Sequence, residues 1–312
     1  MSLKGKLTDM NLLITGAYKW TNEQIGILRK YGFQVRYIER EDSEIPFDVS
    51  DIDAVVCNWL FVHHDIKTFS NLKYIQLLSA GHDRVSQDYI REHQITLRDA
   101  GGVYSIPIAE YIVCGVLQLY KYSGFFNEQQ KMHQWVKNRN MMELSGRKIC
   151  IVGVGGIGKE TAKRFFGFTD EIYGIDLYPS ENPFFKKIYP LSMLDEELMT
   201  SDIVILTLPL TSETENMFDR HRFKSLKKGA VFVNAARGKL VDEEALSEAL
   251  DQNLFGAVCD VFREEPLPQE SKLWKKKNLI ITPHNSFVSE KNQERMWSVI
   301  LDRLIEYAEQ SF

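Results

Sequence analysis

One stretch of the chain, KICIVGVGGIGKETAKRF at residues 148–165, has the residue types and spacing to hold a phosphorylated ligand. An apolar, β-rich run leads straight into Gly153-Val154-Gly155-Gly156-Ile157-Gly158, and a helical pattern follows. Glycine at 153 permits a tight turn, at 155 lets backbone N–H groups approach a diphosphate, and at 158 lets helix and strand pack closely. The helix N-terminus then faces the phosphate charge. A glycine-rich turn can also serve packing alone. The next strand favours the dinucleotide reading, because it ends in Asp176, eighteen residues past Gly158. A carboxylate there accepts hydrogen bonds from both ribose hydroxyls of an adenosine. Gly16-Ala17, after the first apolar run, has no partner glycines and is assigned no cofactor.

Two further residues stand where chemistry is expected. Arg237, in Asn234-Ala235-Ala236-Arg237-Gly238, follows the apolar run 231–234. An arginine just past the C-terminal end of a parallel strand points into the ligand crevice. Its planar fork suits a carboxylate, and its fixed charge suits negative charge developing on a carbonyl oxygen. Taken alone it could equally be a surface arginine. His284 closes another run, after Thr282-Pro283, and imidazole is the natural general acid near neutral pH. The other six histidines (63, 64, 82, 93, 133 and 221) are read as structural. The four cysteines, Cys57, Cys114, Cys150 and Cys259, lie far apart, each in an apolar run. They read as buried reduced thiols rather than a disulfide frame, and no metal site is expected.

These residues need a scaffold of parallel strands. A chain of 312 residues fits two domains. Short apolar runs alternate with amphipathic helical patterns, as strand–helix–strand units require. Strands are expected at 11–15, 33–38, 54–57, 74–78 and 95–97. A second series is expected at 148–152, 171–175, 203–207, 230–234, 256–259 and 279–282. A long apolar helix at 106–122, buried on several faces, joins the two series, followed by a polar stretch at 127–140. Met296, Val299, Ile300, Leu304 and Ile305 recur at helical spacing within a closing helix, 290–310.

Composition narrows the partners. With 38 Lys plus Arg against 43 Asp plus Glu the net charge is -5, and no basic stretch suits a nucleic-acid backbone. No apolar run reaches the roughly 18 residues that span a bilayer, so no membrane partner is expected. The N-terminus lacks a signal peptide's apolar stretch, which makes the cytoplasm the default location.

From Leu144 onward the chain resembles the D-isomer-specific 2-hydroxyacid dehydrogenase family. The segments that carry the likeness are SDIVILTLPLTSETENMF (201–218), VFVNAARGKLVDEEAL (231–246), GAVCDVFREEPLP (256–268) and ITPHNS (281–286). Upstream, SAGHD (79–83) and GGVYSIPIAEY (101–111) look like the family's substrate loop and interdomain helix. The resemblance implies two doubly wound α/β domains: a Rossmann coenzyme domain, 102–284, inserted in a flavodoxin-like substrate domain, 1–101 with 285–312. It implies NAD as cofactor, a small 2-keto or 2-hydroxy acid as substrate, and a homodimer through the coenzyme domains, with 127–143 as an arm to the partner.

Residue by residue, the likeness makes Arg237, Glu265 and His284 catalytic. Glu265, before Pro266 in DVFREEP, matches the family's acid that hydrogen-bonds the histidine, whereas the adjacent Glu264 fits the pattern less well. A carboxylate there favours the imidazolium. Cofactor contacts are implied at Gly153, Gly155, Gly156, Ile157, Gly158, Asp176, Pro209, Ala235, Ala236, Arg237, Asp260 and His284, with Asp260 on the nicotinamide carboxamide. Substrate contacts are implied at Ala80, Gly81, Arg237 and His284. Phe287 departs from the small residues the family often has there, and could reshape the pocket. The loop Cys57–Val62 has no Lys or Arg, so an unphosphorylated substrate is expected, with Arg84 the cation that could alter this. The alternative from another class is an NAD-sensing corepressor on the same fold. Among enzymes, Glu265 argues against a formate dehydrogenase, and a chain ending at Phe312 leaves no regulatory domain for a phosphoglycerate dehydrogenase.

Overall fold

The computed structural model describes residues 7–82 and 84–310. Residues 1–6, where no signal peptide is expected, and Asp83, which ends SAGHD, lie outside the described residues. Two compact units form, Met1–Tyr104 with Ser289–Phe312, and Ser105–Val288. These limits fall three and four residues beyond 101 and 284. The reason is local. Val103 is buried in the first unit's core and the Tyr104 hydroxyl donates to Leu78 O at 2.6 Å, while the amides of Asn285 and Ser286 are tied to Asp260.

The first unit has a five-stranded sheet of β1 (Asn11–Thr15), β2 (Gln34–Ile38), β3 (Ala54–Cys57), β4 (Tyr74–Leu77) and β5 (Thr96–Arg98), in the order β2-β1-β3-β4-β5. Every pairing is parallel. Successive residues of a strand face opposite sides of the sheet. Leu12, Ile14, Ala54, Val56 and Tyr74 therefore join one core cluster, and Leu13, Val55, Cys57, Ile75 and Leu77 the other. Met296, Ile300, Leu304 and Ala308 of the Asn292–Gln310 helix cover the first face. Their spacing of four gives one buried stripe.

The second unit has seven parallel strands: β6 (Ile149–Val152), β7 (Ile172–Asp176), β8 (Lys187–Pro190), β9 (Ile203–Leu206), β10 (Val231–Asn234), β11 (Gly256–Cys259) and β12 (Leu279–Ile281). Their order is β12-β11-β10-β9-β6-β7-β8. Numbered from β6 this is the dinucleotide-binding order 3-2-1-4-5-6 with one strand added, while the first sheet has the flavodoxin-like order 2-1-3-4-5. The central strands β6, β9, β10 and β11 are buried along their whole length, which is why they read as unbroken apolar runs. β8, which the sequence reading did not find, is a half-exposed edge strand with no such run.

The long helix spans Ser105–Tyr120 and lies on the second sheet, where a Cβ on Gly115 would stand 2.7 Å from Val258. It is not buried all round: Glu110, Cys114 and Gln118 form an exposed stripe. Cys114 is thus exposed, contrary to expectation, because it lies on the outward face of an apolar helix. Cys57, Cys150 and Cys259 are buried, and burial raises each thiol's pKa, for Cys150 and Cys259 to about 12. The polar stretch after this helix begins as a further helix, Ser123–Lys131. No helix among the described residues is long and apolar enough to cross a membrane.

Candidate active site

Register brings the second unit's chemistry-bearing residues to one edge. Val152 stands level with Leu206 and Ile175, and Asn234 level with Leu206 and Cys259. The loops beginning at Gly153, Thr207, Ala235, Asp260 and Thr282 consequently leave the sheet at its carboxyl edge.

At the reversal between β6 and β9 the glycines differ in role. Gly153 has φ +97°, and a Cβ there would stand 2.7 Å from Leu208 N. At Gly158 a Cβ would meet Gly153 O at 2.2 Å, so only glycine lets the helix come this close. A Cβ at Gly155 would meet nothing within 4 Å. Gly155 caps the Gly156–Phe165 helix with no side-chain hydrogen bond. An open approach to a bare helix N-terminus fits a diphosphate. Ile157 lies in the first turn of that helix. Asp176 ends β7, and its carboxylate accepts Val154 N–H at 2.7 Å and Tyr178 N–H at 3.0 Å, which fixes it beside the glycine turn. Pro209 is exposed in the loop after β9, while Ala235 and Ala236 are buried after β10.

Buried Asn234 shapes the arginine turn, accepting Ala236 N–H at 3.1 Å and donating to Arg237 O at 3.0 Å. Half-buried Arg237 donates from Nη1 to Ala236 O at 2.8 Å. Gly238 lies so close to Phe262 that a Cβ would overlap its carbonyl. The loops after β10 and β11 are therefore packed backbone to backbone.

His284 Nδ1 lies 2.8 Å from Glu265 Oε2. The other oxygen of Glu265 accepts Phe262 N–H at 3.0 Å, so the carboxylate is held from both sides. Glu265 rather than Glu264 therefore makes this contact. With Nδ1–H pointing at the carboxylate, Nε2 is the nitrogen left to hold or release a proton toward a ligand. The pair is accessible, with side chains 42% and 38% exposed. Phe287 stands edge-on to the imidazole, ring centres 6.1 Å apart.

Around Asp260 the structure adds two residues that sequence reasoning missed, Thr282 and Tyr111. Asp260 is fully buried, and its carboxylate accepts Thr282 Oγ1 at 2.5 Å, Asn285 N at 2.8 Å and Ser286 N at 2.9 Å. Its carbonyl accepts His284 N–H at 2.7 Å. Asp260 thus holds the Thr282 side chain before His284 and the backbone at and after His284, which has φ +51°. Thr282 spends its only proton on Asp260, so the Tyr111 hydroxyl, 2.6 Å away, is the donor to Thr282. Burial keeps the Tyr111 phenol protonated by raising its pKa well above the ordinary value. Thr282 could have been suspected from its place two residues before the histidine. Tyr111, 171 residues distant, carried no local signal.

Ala80 and Gly81 lie in the first unit, in the loop after β4. Ser79 shapes that loop, donating from Oγ to Gly81 O at 3.0 Å and accepting Ala100 N–H at 2.8 Å. Of the histidines read as structural, His82 pairs with Asp99 at 3.0 Å and His64 Nε2 lies 2.9 Å from Glu41 O.

Residues 113–286 match the family described as D-isomer specific 2-hydroxyacid dehydrogenase, NAD binding domain. A glyoxylate reductase of Thermofilum pendens is 32% identical over 84% of this chain and 80% of its own. An (S)-sulfolactate dehydrogenase of Chromohalobacter salexigens is 30% identical over 76% of this chain and 77% of its own. Among solved structures, a D-isomer specific 2-hydroxyacid dehydrogenase family protein from Aeromonas salmonicida is similar with a TM-score of 0.80 at 25% identity, covering 97% of each chain.

Proposed function

Because the chain belongs to the D-isomer specific 2-hydroxyacid dehydrogenase family, we propose that Arg237, Glu265 and His284 are the residues with which it interconverts small 2-keto and 2-hydroxy acids. The chain is an NAD-dependent oxidoreductase. The residues that would hold NAD are the 153–158 turn, Asp176, Pro209, Ala235, Ala236 and Asp260. Asp260 has three hydrogen bonds of its own, so its reach to the nicotinamide carboxamide belongs to this proposal too. When bound, NADH supplies the hydride that reduces the keto carbon.

The chain's own residues do the rest. Arg237 pairs its fork with the substrate carboxylate and places positive charge beside the carbonyl oxygen, where negative charge develops. Ala80 and Gly81, in the first unit's loop after β4, are proposed as substrate contacts on the family's pattern. His284 Nε2–H delivers a proton to the carbonyl oxygen as it becomes a hydroxyl, and in oxidation neutral Nε2 takes that proton back. Glu265 orients the imidazole through its Nδ1–H and so leaves Nε2 for the proton. The 2.8 Å contact between His284 and Glu265 carries this reading. Its test is NADH consumption with glyoxylate, hydroxypyruvate and pyruvate, in the parent and in His284→Asn. Turnover in the parent and its loss in the variant support the assignment, and equal turnover in both removes it.

We also infer a homodimer. The exposed stripe of the Ser105–Tyr120 helix borders a largely apolar groove lined by Val113, Cys114, Leu117, Arg164 and Phe168. Downstream, Trp135 is 97% exposed and Met132, Val136 and Met141 are exposed with it, apolar surface that a second copy would cover. Light scattering of the parent and of Leu117→Glu tests this; a monomeric parent would discard it. Residence in the cytoplasm suits four free cysteines.

A further inference from the structure

Glycine at 153 permits the turn that follows β6, and by itself would also permit its loss, because a glycine peptide rotates at little steric cost. Three contacts prevent this. Gly153 N–H donates to Ile175 O of β7 at 2.8 Å. On its other side the backbone is pressed against the residues after β9, where a Cβ on Gly153 would stand 2.7 Å from Leu208 N. The next peptide is held at both ends. Val154 N–H donates to Asp176 Oδ2 at 2.7 Å, and Gly153 O accepts the Thr207 hydroxyl at 2.6 Å.

Thr207, the residue after β9, commits its one hydroxyl proton to this contact. Val152 O lies 3.3 Å from Oγ1 but already accepts Thr207 N–H at 2.9 Å. A Cβ on Gly158 would stand 3.1 Å from the same Oγ1, so the hydroxyl sits where the glycine turn meets the first turn of the Gly156–Phe165 helix. Past the clamped peptide the chain opens. Gly155 and Gly156 are exposed, and the first N–H groups of a helix have no partner within it. Their direction follows from the peptide that precedes them.

We infer that Thr207 is a positioning residue for the cofactor's diphosphate. It acts through Gly153 O, fixing the Gly153–Val154 peptide so that the helix N-terminus has its binding arrangement before NAD arrives. Without the hydroxyl, Gly153 O loses its donor, and part of the ordering is left for the ligand to supply, which lowers affinity. The inference rests on the reading above that the 153–158 turn holds the diphosphate. Asp176, the other end of the clamp, is also the acceptor proposed for the adenosine ribose, so only Thr207 separates the two tasks.

Isothermal titration of ADP-ribose, which carries the diphosphate, and of adenosine, which does not, gives one ratio of dissociation constants for each protein. Thr207→Val, which removes the hydroxyl at nearly constant volume, should weaken ADP-ribose about tenfold and leave adenosine within about twofold. Thr207→Ser keeps a hydroxyl and should hold the parent's ratio to within about threefold. Thr207→Ala should behave as valine does, which covers a site that rejects the extra methyl group. A Thr207→Val that weakens both ligands equally, or neither, would overturn the inference. So would serine behaving like valine, or valine and alanine both failing to fold. Gly155→Asp, titrated beside them, tests the diphosphate reading itself. If it leaves ADP-ribose affinity unchanged, that reading falls and the inference with it. A loss there, with Thr207→Val unaltered, removes only the role of Thr207.

Discussion

Two glutamates, one in each unit, bridge loops at the carboxyl edge of a parallel sheet, and they are used in opposite ways. Glu41 spends its carboxylate on a threonine hydroxyl and two backbone amides, all three fixed parts of the scaffold. Glu265 spends one oxygen on a backbone amide and the other on His284, a group that must gain and lose a proton. The two reversals of strand order differ in the same sense. In the first unit the crevice holds a side chain of the protein, and in the second it is lined by glycines and left open at Gly155. The same architecture yields a wall or a site according to what its loops bring. A carboxylate from the chain satisfies the loop amides in the first unit; in the second Asp176 takes Val154 N–H, and Gly155 opens the helix N-terminus to a ligand.

The largest expected effect lies with the group that changes its protonation. His284→Asn should lower kcat by about 10²–10⁴ while the NADH dissociation constant stays within about twofold. Stopped-flow turnover beside a fluorescence titration measures both. Next comes an attempt to make the second crevice like the first. Gly155→Asp places a carboxylate where a Cβ meets open space, so the fold should survive while NADH affinity falls at least about a hundredfold through charge and lost approach. Unchanged affinity would mean that the diphosphate does not bind there.

Asp176 gives a smaller effect. Its carboxylate, fixed by Val154 and Tyr178, should repel a 2′-phosphate, so kcat/KM should favour NADH over NADPH by roughly tenfold or more. A preference for NADPH would refute this. Glu41→Gln keeps the shape but turns an amide against some of the donors. It should cost about 1–3 kcal/mol in denaturant unfolding, with kcat largely retained. If kcat collapsed while stability held, the contrast between a structural and a catalytic glutamate would fail. The smallest effect belongs to the partner of that histidine. Glu265→Gln keeps the shape but gives His284 Nδ1 an amide in place of a carboxylate, so kcat should fall less than in His284→Asn while NADH affinity is unchanged. A kcat equal to the parent's would leave the pair without a role in proton transfer.

How much of this was legible depended on how far each interaction reaches. Buried central strands were readable because burial on both faces demands an unbroken apolar run, whereas the edge strand β8, half in water, has no such constraint. The glycine turn was readable because Gly153, Gly155 and Gly158 themselves lie within six residues of one another, although Leu208, which crowds Gly153, is distant in sequence. Arg237 and His284 could be placed because each follows directly on a strand. Glu265 needed the family resemblance, since nothing local tells it from Glu264. The Tyr111–Thr282–Asp260 chain and the Glu41 bridge could not be read at all. They join residues that only the sheet order brings together. The exposure of Cys114 was misread for a related reason: an apolar composition does not say which face of a helix is covered.

The exposure of the His284–Glu265 pair has a consequence for timing. Each reduction removes one proton from the imidazole, and the next cannot begin until it is replaced. Because the side chain is 42% exposed, that proton is drawn from water or buffer that touches it. The rate at which the medium hands over a proton is then part of the length of every cycle.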